Sequence, residues 1–400
     1  FFTRYLTPND YGVLAVYWMF GGITTNLLSL GLQSSTIRYY YKEKDNLTYF
    51  GTLNFTNFIF IFGMFIIGGI VVWFTSKSLA QFLFDGKISE NVIILSYFGG
   101  CIANLSRYLK ELLIPQQRSK AYSILTVFSS IFSSGIAVIL ILAFSMTYYS
   151  RIYSSIINDF IIFIIAIFLQ IKYFQLNWSN SSLKKSIVFS YPQIPQQIIS
   201  LVHTSFDKIM LTNIKGLTPV GHYHIAQRFG GIIKTFISTI TRAWSPFFFH
   251  KAELNTHQAK EEIVERYYEI IMIFNFFCII ITCFSEEAVK LLTTEEFYPS
   301  MYIVPLVVFY ILFTHTLSII SKLQVFFAEK MIYTLPPSIT ALIINIILNI
   351  ILIPKFGAVG AVLATVAASI VSSIMLFYIS QKLYPLPIEY GKLINQLMML

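Results

Sequence analysis

The sequence predicts an all-α polytopic membrane protein built as two six-helix lobes related by a parallel pseudo-two-fold repeat. Three observations carry this reading. First, 56% of the 400 residues are hydrophobic and only 12% are charged, with a mean hydropathy of +0.68. Soluble domains carry about a quarter charged residues, so this chain needs a non-aqueous solvent. Second, apolar stretches of about 20 residues recur along it, each long enough to cross a ~30 Å hydrocarbon core as a helix. Third, one stretch is written twice: LTPNDYGVLAVYWMFGG (Leu6–Gly22) returns as LTPVGHYHIAQRFGG (Leu217–Gly231).

Taken in chain order, the expected spans are 12–32, 51–74, 91–113, 121–144, 152–174, 187–212, 221–247, 267–284, 301–327, 333–353 and 358–380. Pro, Gly and charged residues punctuate the joints. Phe1-Phe2 reads as the tail of a preceding apolar segment and Leu393–Leu400 as the start of another. The chain is therefore read as cut at both ends, its spans being helices two to twelve. The expected division is 1–176 for the first lobe, 177–384 for the second and 385–400 for the start of a further helix.

The net charge of +9 sits mainly in short loops. Eighteen Lys and Arg fall on one side, among them Arg107, Lys110, Arg242 and Lys322; Arg4, Lys77, Lys87, Arg151, Lys215, Lys290 and Lys355 fall on the other. That asymmetry makes the first side cytoplasmic, and it removes the nucleic-acid reading that a basic chain invites. The cysteines, Cys101, Cys278 and Cys283, lie in apolar segments and imply no disulfide framework. The longest polar stretch, His250–Arg266, is a connector. No G-x-x-x-x-G-K-[ST], G-x-G-x-x-G or H-E-x-x-H appears, so no cofactor, nucleotide or metal site is expected.

The repeat extends past its first stretch. Gly12 pairs with Gly221, and Gly21-Gly22 with Gly230-Gly231, all at an offset of 209. Ser76–Leu83 aligns with Ser285–Leu292 at the same offset, and Tyr122 with Tyr333 at 211. Six spans separate the copies, an even number, so the lobes share one orientation and are related by an axis along the membrane normal. Parallel repeats of this kind are typical of transporters, whose site lies between the repeats near the midplane.

Polar side chains inside a bilayer are costly and face a bundle interior or an aqueous cavity. In span 187–212, Gln193, Gln196, Gln197, Ser200, His203, Thr204, Asp207 and Lys208 fall within an arc of about 140°. In span 221–247, His224, Gln227, Arg228, Lys234, Thr235, Ser238, Thr241 and Arg242 do the same. The two faces are expected to line one cavity. The first-lobe counterparts of the second stripe carry no charge, so the embedded cations gather in the second lobe, with Arg107 and Lys110 as first-lobe additions. Arg forks and Lys point charges facing a cavity point to an anionic, phosphate-bearing ligand. The structural alternatives are pairing of Asp207 with Lys208 or His203, and snorkelling of Arg242 and Lys110. Asp159, beside Asn158, and Asp207 are candidates to bind a coupling H+ or Na+. His222-x-His224 diverges on a helix and is not a metal pair, and Asn345 with Asn349 reads as interhelical glue.

Three stretches resemble the polysaccharide biosynthesis protein family, the Wzx-type oligosaccharide flippases. Tyr191-Pro192 with Pro195, Asp207-Lys208 with Leu211, and Gly221-x-Tyr223-x-x-Ala226 resemble the region around that family's seventh helix. Asn345–Thr365 (NIILNIILIPKFGAVGAVLAT) and RYLTPNDYGVLAV resemble two further family stretches. The resemblance implies a MATE-like fold of the multidrug/oligosaccharidyl-lipid/polysaccharide superfamily and a flippase in the bacterial inner membrane. It implies export of undecaprenyl-diphosphate-linked oligosaccharide for surface polysaccharide, with membrane lipids around the chain and a glycan polymerase as the protein partner. The diphosphate is then expected at Arg228 and Lys234 with Arg107, and sugar hydroxyls at His224, Gln227, Gln196, Gln197 and His203. The alternatives are a cation-coupled multidrug exporter on the same fold and a membrane-embedded glycan polymerase or ligase.

Overall fold

The computed structural model describes residues 1–43, 46–191 and 194–397, without the side chains of Thr204, Arg242 and Leu397. Its elements are helices throughout: α1 (Pro8–Leu28), α2 (Leu32–Lys42), α3 (Leu47–Phe84), α4 (Glu90–Glu111), α5 (Ser119–Phe144), α6 (Tyr148–Gln170), α7 (Asn180–Ser190), α8 (Ile194–Lys215), α9 (Leu217–Leu254), α10 (His257–Cys283), α11 (Ser285–Leu292), α12 (Val304–Phe327), α13 (Leu335–Leu383) and α14 (Tyr390–Leu397). Among the described residues, seven helical segments are long and apolar enough to cross a membrane, or eight if the bent pair α1–α2 is one span. Helices α8 and α9 fall short of that measure because each carries a polar stripe.

Among the described residues two large apolar cores form, beside a small cluster of Leu113, Leu125 and Ile162. One gathers Leu6 to Ala166 and is covered by Leu183 and Ile187 of α7; the other gathers Leu211 to Leu393 with Ala15 of α1. Large side chains such as Ile131, Ile139, Ile347 and Ile350 remain exposed on the outside, as a lipid-facing surface requires. The expected span 187–212 begins later than its apolar pattern suggested. Helix α7 ends at Ser190 and packs on the first core, and the membrane helix α8 starts at Ile194, while Pro192 and Gln193 lie outside the described residues.

The repeat is visible element by element. The capping box at Thr7, whose hydroxyl accepts from the Asp10 amide (3.2 Å) while Asp10 accepts from the Thr7 amide (2.9 Å), starts α1 at Pro8. Helix α9 starts at Leu217, an offset of 209, so its Leu-Thr-Pro lies inside the first turn. The bend of 53° between α1 and α2, at Leu30 and Gly31 with φ of 49° and 68°, has no counterpart in the continuous α9. Conversely, α3 runs unbroken where the second copy breaks between α10 and α11. The hairpin between α5 and α6 turns at Ser145 (φ 52°), and α13 turns at Gly357 (φ 57°).

Within each copy the glycine pair divides its duty. A Cβ on Gly21 would strike the Ser96 backbone of α4, and one on Gly230 would meet Val307 and Ile311 of α12. Gly22 and Gly231 have open space in front of them. Small residues let helices approach closely where lipid offers no hydrophobic drive to associate.

The hydrogen bonds that join the two cores directly cluster at one end. Lys87 donates to the carbonyls of Thr212 (3.1 Å) and Asn213, and Asn213 donates to Leu83 O (3.0 Å). Thr3 donates to Leu292 O (3.0 Å), Thr294 donates to Thr3 O (3.1 Å), and the Tyr11 and Phe297 rings meet at 5.2 Å. By the loop charges this is the outer end, so the structure is closed outside.

Candidate functional site

Helices α8, α9, α12 and α13 enclose a cavity of about 640 Å³ in the second half. Gln196, His203, Asp207 and Lys208 enter from α8, Gln227 and Lys234 from α9, Tyr310, His315 and Lys322 from α12, and Ser338 and Ser373 from α13. A second space of about 530 Å³ shares Gln196, Thr314 and Lys322 with it and continues past Phe249, Phe326 and Met331 to the cytoplasmic ends of α9 and α12. A third, of about 470 Å³, holds His224, Arg228 and Thr235 and shares Gln227 and Gly231 with the first.

The striped faces of α8 and α9 therefore meet as expected, yet Arg228 and Lys234 open into adjoining spaces. Six residues on a helix turn a side chain by roughly 120° and advance it about 9 Å. Arg228 points toward the first half: its guanidinium lies 5.0 Å from the Trp18 ring centroid, and its Nε–H donates to His224 Nε2 (3.3 Å). His224 stacks on Trp18 at 5.4 Å. Lys234 turns into the second-half cavity and donates to the Tyr310 hydroxyl (2.8 Å).

Asp207 is buried, and both its carboxylate oxygens are engaged. One accepts from the Tyr223 hydroxyl (2.6 Å) and the other from the Lys208 amide (2.7 Å). Among the described residues the carboxylate's hydrogen-bond donors are thus a tyrosine and a backbone amide, not the side chains of Lys208 or His203 considered for it. His203 lines the cavity with its Nε2 buried and unbonded. Gln196 donates to Ser338 Oγ (3.0 Å), crossing to α13. Gln197 points elsewhere, its amide nitrogen lying against Gly31 at the α1–α2 bend.

The first-half candidates form a separate group. Asp159 on α6 accepts from the Asn158 side chain (3.1 Å), and Asn158 also donates to Ser129 of α5 (2.8 Å). Lys110 and the exposed Arg107 are the cations in electrostatic reach of Asp159. Gln33 donates to Glu111 (2.5 Å) one residue beyond Lys110. Arg107 is thus not brought together with Arg228 and Lys234. Lys110 lies 5.6 Å from the Tyr122 ring. Asn345 and Asn349 are fully buried; Asn349 donates to Asn345 (3.0 Å) and Asn345 to Thr365 (3.3 Å), tying the two arms of α13 as glue. No group of three His, Cys, Asp or Glu suited to a metal occurs among the described residues.

Three basic or titratable residues were missed by reading the stripes alone. Lys322, counted with the cytoplasmic loops, lies on α12 and faces the cavity, as does His315 one heptad earlier. Their spacing of seven, on an otherwise apolar helix, was the available signal. Arg151, counted with the outer loops, lies in the first turns of α6. Its guanidinium is 4.6 Å from the Phe2 ring, with Nη1 buried and unbonded, and Tyr11 and Arg228 are in electrostatic reach. By contrast, the ion pairs Lys251–Glu262, His257–Glu261, Arg266–Glu269 and Lys290–Glu286 sit in connectors and helix ends.

The fold recurs in solved transporters. The chain is similar to the lipid II flippase MurJ in an inward closed conformation, with a TM-score of 0.74, 15% identity, and 99% of this chain and 85% of that one covered. It is similar to an inward-facing multidrug resistance MATE family transporter of the MOP superfamily, with a TM-score of 0.72, 14% identity, and coverage of 95% and 92%. A MOP superfamily transporter from Pyrococcus furiosus, described as having a binding pocket of reversed polarity, aligns with a TM-score of 0.59, 14% identity, and coverage of 93% and 85%. No curated protein sequence matches the chain. The sequence profile of the polysaccharide biosynthesis proteins matches residues 1–302. With the MATE-like two-lobed fold around these cavities, this chain belongs to the polysaccharide biosynthesis protein family.

Proposed function

We propose that this chain is a flippase that carries undecaprenyl-diphosphate-linked oligosaccharide from the cytoplasmic to the outer leaflet of the bacterial inner membrane. The observation that carries this reading is the placement of two cations on one helix. Arg228 and Lys234 open into adjoining spaces that share Gln227 and Gly231, and those spaces continue to the cytoplasmic ends of α9 and α12. The diphosphate enters from the cytoplasmic side and is met by the Arg228 fork and the Lys234 ammonium. Sugar hydroxyls exchange hydrogen bonds with Gln196, Gln227 and the serines of α13. The lobes 1–176 and 177–384 then rock, opening the outer contacts around Lys87 and Asn213, and the ligand leaves.

No bond is made or broken, and the polar groups need only replace the water stripped from the head group. Membership of a polysaccharide biosynthesis family supports a glycan cargo, and the fold supports alternating access. A drug exporter for cations would need a cavity of the opposite sign. The test is export of surface glycan from cells carrying Arg228→Ala with Lys234→Ala at matched protein levels. The double variant is expected to lose export and accumulate lipid-linked glycan; full export with both cations removed rules the site out.

A further inference from the structure

The second-half cavity holds more positive charge than a diphosphate at Arg228 and Lys234 uses. Lys322 is exposed to it and is joined by no ion pair among the described residues. His315, seven residues earlier, lies on the same face about 10 Å along the axis. Lys322 lines the cavity together with His315 and is in electrostatic reach of it. His315 is also in electrostatic reach of Lys234. Among the described residues, Asp207 is the one carboxylate lining this cavity or its cytoplasmic extension, and Tyr223 and the Lys208 amide already engage it.

Hydroxyl and amide groups share the rest of the wall with apolar residues such as Ile199, Val307 and Ala341. Thr314, Ser338, Ser369 and Ser373 face the same space as Lys322, with Gln196 opposite and Tyr310 offering an aromatic ring. Such a lining suits a polyol that also carries negative charge, because an ammonium facing a low-dielectric cavity gains most from an anionic oxygen. The volume, about 640 Å³, is within the range of ligand pockets.

We infer that this cavity is a subsite for an acidic substituent of the transported glycan, a carboxylate or phosphate on a sugar, with Lys322 as its cation and His315 beside it. The inference rests on the proposed oligosaccharide cargo and specifies it: the glycan is acidic. The diphosphate lies at Arg228 and Lys234, and the glycan runs on past Gln227 and Gly231 into the second half. Lys322 selects among glycans and is not needed to hold a neutral one.

The test uses the full chain in lipid nanodiscs with two probes, undecaprenyl diphosphate bearing a neutral oligosaccharide and the same lipid bearing one hexuronic acid. Inorganic phosphate serves as competitor. Wild-type protein is expected to bind the acidic probe about tenfold more tightly or better, the worth of one charge-assisted hydrogen bond. Lys322→Gln is expected to abolish that preference with the neutral probe bound as before, which also shows that the variant is folded; Lys322→Arg should restore it. Equal wild-type affinity for both probes overturns the inference and leaves the flippase reading standing. Equal weakening of both probes by Lys322→Gln overturns it as well. Inorganic phosphate that shields Lys322 from amine modification where the acidic probe does not assigns the site to a free anion and overturns the glycan assignment. Binding of neither probe by wild-type protein overturns both the inference and the function beneath it.

Discussion

Gly12 and Gly221 each press against the backbone of the other's entry turn. A Cβ on Gly12 would overlap the carbonyl of Leu217, and a Cβ on Gly221 would overlap the carbonyl of Pro8. Because Pro8 and Leu217 are themselves 209 residues apart, the contact is reciprocal, as across a two-fold axis. The repeated stretch is therefore the seam at which the halves touch outside. Gly12→Ala or Gly221→Ala is expected to disfavour this closed outer end by about 1–3 kcal/mol, the cost of overpacking. A short bismaleimide linker between Lys87→Cys and Asn213→Cys reports it: crosslinking should fall in either glycine variant, and unchanged crosslinking in both contradicts the seam.

Arg151 and Arg228 stand on different halves, within electrostatic reach of one another and of Tyr11. Like charges are held together there by outer closure, and a diphosphate between them would meet a fork from each side. Arg151→Gln is expected to lower glycan export about tenfold, comparably to Arg228→Gln, whereas Lys290→Gln, paired with Glu286 on the exterior, should leave export unchanged. Export at the wild-type level in Arg151→Gln removes that residue from the ligand's path.

How much of this was legible in the sequence depends on which helix is asked. The apolar spans and the repeat were plain, because lipid demands long apolar runs and the glycine contacts recur at one offset. The wet faces of α8 and α9 were plain too, since seven or eight polar residues share an arc. Walls from α12 were not: His315 and Lys322 interrupt a helix rich in Val, Ile, Leu and Phe, so the composition hides them. Loop counting misplaced Lys322 and Arg151 for a related reason. A cation near a helix end either snorkels outward or turns into a cavity, and only the neighbouring helices decide which. The separation of Arg228 from Lys234 likewise depends on where α1 and α12 pack against α9.

Tyr223, itself buried, guards the buried Asp207 carboxylate with a hydrogen bond of 2.6 Å. Tyr223→Phe leaves a buried acceptor short of a donor, at a cost of about 1–3 kcal/mol. Asp207→Asn should cost less, since its amide oxygen can accept from the Lys208 amide while its NH2 donates to the Tyr223 hydroxyl, which can accept as well as donate. Thermal unfolding in detergent should rank wild type above Asp207→Asn and Asp207→Asn above Tyr223→Phe; the reverse order of the two variants means that Asp207 is not a structural acceptor.

The same geometry separates the two candidates for ion coupling. Asp207 is buried and accepts a hydrogen bond on each oxygen, so few of its lone pairs are open to a proton or Na+ from solvent. Asp159 is half-exposed, carries the Asn158 amide on one oxygen, and lies in the first half near Lys110 and Arg107. A carboxylate that exchanges a cation during each cycle needs an accessible lone pair in at least one state, which favours Asp159. Asp159→Asn is therefore expected to leave folding and glycan binding intact while making flipping in reconstituted vesicles indifferent to an imposed H+ or Na+ gradient. Asp207→Asn should lower the yield of folded protein yet keep whatever gradient dependence the wild type shows. If gradient dependence survives in Asp159→Asn and vanishes in Asp207→Asn, coupling belongs to the second half.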